Sequence, residues 1–178
     1  GASGAGKTTL LRTILGELSP LAGRMRVCER ISAVWQEVRL IEGLDAIDNV
    51  LLVAGATIER DEARTLLSEL LPADVLDQPV RRLSGGQRRR VELARVLFSD
   101  ADELARALAC HSEAVLLDEP FASLDADSHR MAAGFVLRHL GGRPLLVASH
   151  LPDDVELLDA ETLSLVSPAA PQDAPTLS

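Results

Sequence analysis

Aromatic side chains are almost missing from this chain: its 178 residues include one Trp, three Phe and no Tyr. Recognition by stacking on aromatic platforms is therefore not expected. Cysteine is equally sparse, with Cys28 and Cys110 far apart and no C-x-x-C spacing. They read as reduced thiols rather than a disulfide framework or a metal site. No apolar run approaches the length needed to cross a membrane. Positive charge is in deficit, for a net charge of −9, which counts against non-specific binding of DNA or RNA through phosphates and leaves docking to another protein open. The composition, 47% hydrophobic and 25% charged, suits one globular domain with a sizeable core.

The chain opens on Gly1-Ala2-Ser3-Gly4-Ala5-Gly6-Lys7-Thr8-Thr9, which fits the phosphate-binding pattern G-x-x-x-x-G-K-[ST]. Small residues let the backbone curl so that successive N–H groups face one anion. In that pattern Lys7 reaches the β- and γ-phosphates and the Thr8 hydroxyl takes a place on Mg²⁺. Leu10, Leu11, Ile14, Leu15 and Leu18 follow at helical spacing, so the loop opens a helix whose N-terminal end also favours phosphate. Such a loop normally connects a strand to a helix. No residue of the sequence stands before Gly1 to form that strand, and no signal peptide is expected. It reads as a fragment, or a truncated gene product, whose central strand lies upstream.

Gly16, Ser19-Pro20 and Gly23 end the first helix. Short β-type runs are expected at Met25–Cys28 and Ile31–Trp35, the second delivering Gln36 at its end. From Glu37 to about Arg82 the pattern is helical, interrupted by Gly43, Gly55, Pro72 and Pro79, and predicts a small helical subdomain. Next comes Leu83-Ser84-Gly85-Gly86-Gln87. Ser84 is a good N-cap for a helix starting near Gln87, and the glycines permit close approach to an anion. Alone, this stretch reads first as an ordinary Ser-capped helix after a Gly turn.

The run Ala114–Leu117 suits a buried parallel strand ending in Asp118 and Glu119, at the sheet edge where ligands bind in doubly wound folds. Asp118 can hold the water shell of Mg²⁺ and Glu119 can polarise an attacking water, or the pair is simply an acidic turn. Ser123-Leu124-Asp125 forms a turn before a helix from about Asp127 to Leu140, with Met131, Phe135, Val136 and Leu140 inward. A strand Pro144–Ala148 leads to Ser149-His150, and another is expected at Leu163–Val166. His150 reads as structural or, from its place after a buried strand, functional. The Pro/Ala/Ser-rich residues 167–178 read as a disordered tail.

In this order the motifs resemble the ATP-binding cassette family, the nucleotide-hydrolysing subunits of ABC transporters, from Gly1 to about Asp154. Gly1–Thr9 looks like Walker A, Gln36 the Q-loop, Leu83–Gln87 the signature, and Val115–Asp118 with Glu119 Walker B. Ser123–Asp125 looks like the D-loop, and His150 the switch histidine. The resemblance implies an α/β fold, a P-loop NTPase parallel-sheet core (1–36 and 83–166) with an inserted helical subdomain (37–82). It implies ATP hydrolysis with Mg²⁺ at a head-to-tail dimer. ATP on Gly1–Thr9 of one cassette would be capped by Ser84, Gly85, Gly86 and Gln87 of the other. Lys7 would take the phosphates, Thr8 and Gln36 the metal, Asp118 its water shell, and Glu119 the general-base role. His150 would contact the γ-phosphate and Asp125 would act across the interface.

The expected partners are a second cassette and transmembrane permease subunits, holding the protein at the cytoplasmic face of the plasma or inner membrane, with no nucleic acid. The stretch Trp35–Leu40 through Asp48-Asn49-Val50 looks like that of bacterial solute importers. An exporter or lipoprotein-release cassette, and a degenerate non-hydrolysing one, are the alternatives. A soluble cassette acting on ribosomes or DNA would carry tandem cassettes or a long coiled-coil insertion.

Three departures from the family pattern stand out. The strand before Gly1 is absent, together with the aromatic residue that stacks on adenine, so weak nucleotide binding is expected of these 178 residues alone. The segment 91–97 nearly recurs at 102–108, an offset of eleven residues. Eleven residues make about three helical turns and would lengthen a continuous helix by about 16 Å, so a break near Ser99 or Asp100 with a second short helix is expected. The stretch between Gly23 and Gln36 is short, so the β-subdomain should be reduced.

Overall fold

The run 114–118 forms the middle strand of a parallel sheet in a computed structural model of the chain, which describes residues 4–28, 30–37, 39–54, 58–98 and 113–165. Strand β1 is Ile31–Val34, β2 is Ala114–Asp118 and β3 is Leu145–Ala148, in the order β1-β2-β3. The register pairs Val34 with Leu117 and Asp118 with Ala148. All three strands therefore end at the same edge. Both faces are covered, as a parallel sheet requires. On one face Leu116 and Ala148 pack with Leu11, while on the other Val34, Val115 and Leu117 join the main core.

Helix α1, Lys7–Ile14, covers the first face. It stops where Gly16 takes φ 77°, with Glu17 N donating to Arg12 O at 2.9 Å and Gly16 N to Thr13 O at 3.0 Å. This is a Schellman closure, which needs a residue free to adopt the left-handed conformation.

Helices α2, Ala46–Ala54, and α3, Arg60–Ser68, lead through single 3₁₀ turns at Ala73–Val75 and Val80–Arg82 into α4, Gly85–Leu97. Ile47, Val50, Leu67, Leu76 and Val80 pack with Val91 and Leu93 of α4. Helix α5, Ala126–His139, adds Ala132, Phe135 and Val136 to the same core, and the short α6, Asp153–Leu157, follows β3.

Three expectations change. Met25–Cys28 is irregular rather than a strand: Met25 and Val27 are exposed, and among the described residues no strand pairs with that backbone. A strand needs a partner for its N–H and C=O groups. Residues 163–165 are likewise irregular, and Val166 lies outside the described residues. Met131 faces solvent, its inward place taken by Ala132 and Ala133. The repeat 102–108, the break near Ser99 and Asp100, Cys110 and the tail 167–178 lie outside the described residues.

Candidate functional site

The phosphate-loop pattern becomes a curled approach to α1. Gly4 and Gly6 take φ 80° and 88°, with Gly6 at the N-cap and no side chain closing the helix end. The first turn of a helix carries N–H groups without intrahelical acceptors. That end opens on a cleft of about 450 Å³ lined by Gly4, Ala5, Gly6, Lys7, Thr8, Thr9, Gln36, Glu119, Ala122 and His150. Gly1, Ala2 and Ser3 lie outside the described residues.

The three strands deliver the rest of the cleft. Asp118, on the same face of β2 as Leu116, points toward α1 and accepts a 2.8 Å hydrogen bond from Thr8 Oγ1 at Oδ2. Only 1% of Asp118 is exposed, and its Oδ1 has no hydrogen-bond partner among the described residues. A buried carboxylate oxygen of this kind asks for a ligand or water. Glu119 turns over into the left-handed region at φ 50° while its N–H donates to Ala148 O at 2.8 Å. Such strain in a non-glycine residue persists only where the surroundings impose it. Its carboxylate lies 3.5 Å from Lys7 Nζ and 2.6 Å from His150 Nδ1. Gln36, just past β1, is exposed at the rim.

The structure does not bring the other expected residues to this cleft. Ser84 is the N-cap of α4, which starts two residues earlier than expected, in a capping box: Gln87 N donates to Ser84 Oγ at 3.2 Å and Ser84 N to Gln87 Oε1 at 2.8 Å. Ser84 and Gly85 are exposed. Asp125 caps α5, accepting from Ser128 N at 2.9 Å and Ser128 Oγ at 2.8 Å. These bonds hold its carboxyl below the usual range.

Sequence reading missed a polar stripe on α4. Arg89 and Glu92 are each 4% exposed, paired at 2.7 Å, within a face otherwise made by Val91, Leu93, Ala94 and Leu97. The available signal was two opposite charges three residues apart in phase with an apolar stripe. Burial pushes the Glu92 carboxyl up, against the opposing pull of Arg39 N and the Arg89 charge. The folded chain therefore holds this proton more tightly than the unfolded one. Stability is expected to fall as pH rises from the ordinary carboxylate range through the raised value. Urea unfolding between pH 4 and 7 should show that slope reduced in Glu92→Gln; an unchanged slope would place the titration elsewhere.

A curled glycine loop opening a helix, facing two acids at the end of a parallel strand, is the site of a P-loop nucleotide-binding protein. The chain belongs to the ABC transporter family, whose model matches residues 1–103. That family generally takes ATP with Mg²⁺. Among its relatives, an aliphatic sulfonates import ATP-binding protein of Paraburkholderia xenovorans is 41% identical over 163 residues, covering 89% of this chain and 61% of its own length. The chain thus spans about three-fifths of that relative. A cytochrome c biogenesis ATP-binding export protein of Ruegeria pomeroyi is 39% identical, with 89% and 74% covered. A Pyrococcus furiosus chain described as an ABC transporter ATP-binding protein superposes with a TM-score of 0.69 at 26% identity, covering 85% of this chain and 77% of that one.

Proposed function

We propose that this chain is the ATP-binding and ATP-hydrolysing part of an ABC transporter, most consistent with a bacterial importer. The observation that carries the reading is the cleft that joins Gly4–Thr9, Gln36, Glu119 and His150 over the Thr8–Asp118 hydrogen bond. The stronger identity to a sulfonate import protein than to an export protein is small, 41% against 39%. The importer-like stretch around Gln36 adds to it.

The donor set fits Mg²⁺. The Thr8 hydroxyl and Asp118, with its unpartnered buried oxygen, supply hard oxygens, and Gln36 supplies another from the rim. Mg²⁺ accepts few protein ligands when phosphate oxygens and water complete its shell. Bound there, it would supply positive charge against the phosphates of the nucleotide.

In this reading Gly1–Thr9 cradle the phosphates, with Lys7 on the β/γ oxygens. The entering γ-phosphate competes with Glu119 for Lys7 and His150. Glu119 takes a proton from the water that attacks the γ-phosphorus as the bond to the bridging oxygen breaks, leaving ADP and inorganic phosphate. His150 and Lys7 stabilise the charge spread over the transferring group.

Ser84, Gly85, Gly86 and Gln87 stand away from their own cleft at an exposed helix N-terminus, an arrangement suited to capping the nucleotide of a second cassette. Asp125 works at the same interface. We divide the chain into a nucleotide-binding core, 1–36 and 83–166, a helical subdomain, 37–82, and a tail. The exposed region after Gln36 would meet a membrane permease, holding the protein at the cytoplasmic face of the membrane. Among the described residues no helix is long and apolar enough to cross it.

The test mixes two inactive forms of the full protein, Ser84→Arg and Lys7→Ala. Each should hydrolyse little ATP alone, and the mixture should regain turnover through one intact composite site. No recovery, with mixed dimers shown to form, would refute the head-to-tail site.

A further inference from the structure

Arg89 is a buried guanidinium with every donor used. Its Nε donates to Pro120 O at 3.0 Å, and its Nη2 to Asp118 O at 2.7 Å and Glu119 O at 2.9 Å. Its Nη1 donates to Trp35 O and to Glu92 Oε2, the latter at 2.7 Å. Five N–H groups thus meet five acceptors. The second carboxylate oxygen of Glu92 accepts from Arg39 N at 2.9 Å, and Arg95 donates to Arg39 O. Residues 89, 92 and 95 share one face of α4, since they recur at near-helical spacing.

The atoms held are backbone atoms flanking two parts of the cleft. Trp35 and Arg39 bracket Gln36. Asp118, Glu119 and Pro120 are the end of β2 and the turn after it. Three consecutive carbonyls can converge on one cation only if the backbone departs from a strand, and Glu119 does so at φ 50°. The guanidinium offsets the strain of that turn.

We propose that Arg89, with Glu92 and Arg95, forms a crossbar that fixes the Gln36 segment and the Glu119 turn in one mutual position, making these three positioning residues for hydrolysis. The inference rests on reading the cleft as an ATPase site. Arg89 touches the cleft lining at the backbone carbonyl of Glu119 and acts through the backbone it holds. A Lys at 89 keeps the charge and loses the planar five-donor fork, so it cannot hold both segments.

The test compares wild type, Arg89→Lys and Glu92→Gln in the full protein, by kcat, by Kd for Mg-ATP, and by hydrogen exchange of the 36–41 and 118–122 amides. In Arg89→Lys, kcat should fall roughly 10- to 100-fold, the scale of a small misplacement of reacting groups. The Kd should stay within about threefold because Lys7 and the glycine loop are untouched. Exchange should rise in both segments together. Glu92→Gln keeps shape and should give a smaller change of the same pattern, which serves if Arg89→Lys does not fold.

Unchanged kcat in folded variants, or kcat and Kd worsening in step with lost thermal stability, would overturn the positioning role. If wild type itself hydrolyses no ATP, the ATPase reading fails. The crossbar is then judged on exchange alone: joint loss of protection upholds the mechanical link, and loss in one segment or neither overturns it.

Discussion

Glu119→Gln is expected to leave Mg-ATP binding intact and to lower hydrolysis by roughly 10²- to 10⁴-fold, the usual contribution of a positioned general base. The carboxylate sits 2.6 Å from His150 Nδ1 and 3.5 Å from Lys7 Nζ, at the end of a strand whose neighbour hydrogen-bonds its N–H. Gln has the same length and can still accept from His150, so the turn and its strained backbone persist. What it cannot do is take a proton from water. It also removes the negative charge that competes with a γ-phosphate for Lys7, so affinity should hold or rise. Single-turnover rates beside equilibrium ATP titration separate the two effects. Undiminished turnover would remove Glu119 from the base role.

Lys7→Ala should act on the other quantity. Lys7 opens α1 directly after Gly6, whose φ of 88° turns the loop toward the cleft. A charge-assisted contact of this kind is worth about 1.5–3 kcal/mol, roughly 10- to 150-fold in Kd. The side chain is 14% exposed and lies 3.5 Å from the Glu119 carboxylate, so truncation also leaves that carboxylate without its cation and should lower the melting temperature. Titration of Mg-ATP into the folded variant is decisive, and an unchanged Kd would exclude Lys7 from phosphate binding.

Much of the site was legible because its chemistry is local in sequence. Gly4 and Gly6 adopt the positive φ that their residue type allows, Ser84 caps the helix its neighbours announce, and the 114–117 run is a buried strand ending in two acids. What could not be read is long-range. Pairing of Thr8 with Asp118, or Lys7 and His150 with Glu119, depends on strand order rather than spacing. Arg89 and Glu92 offered only their three-residue spacing, because nothing local says that four carbonyls from two distant segments will surround one of them. Met25–Cys28 failed for the opposite reason: local β propensity does not make a strand where, among the described residues, none lies alongside to pair with it.

Strand β1 and its partner β2 are far apart in the chain, with Val34 paired to Leu117. At synthesis rates of 5–20 residues per second, roughly 80 intervening residues take on the order of 4–16 s to emerge. Loops close in nanoseconds to microseconds, so α2, α3 and α4 can consolidate long before β2, the partner of β1 among the described residues, is made. For that interval Ile31–Val34 is an unsatisfied strand beside an apolar helix face, the kind of segment that associates with other chains. The late pairing of β1 with β2 is therefore expected to limit the yield of soluble protein, and expression at low temperature or with a holdase should raise it.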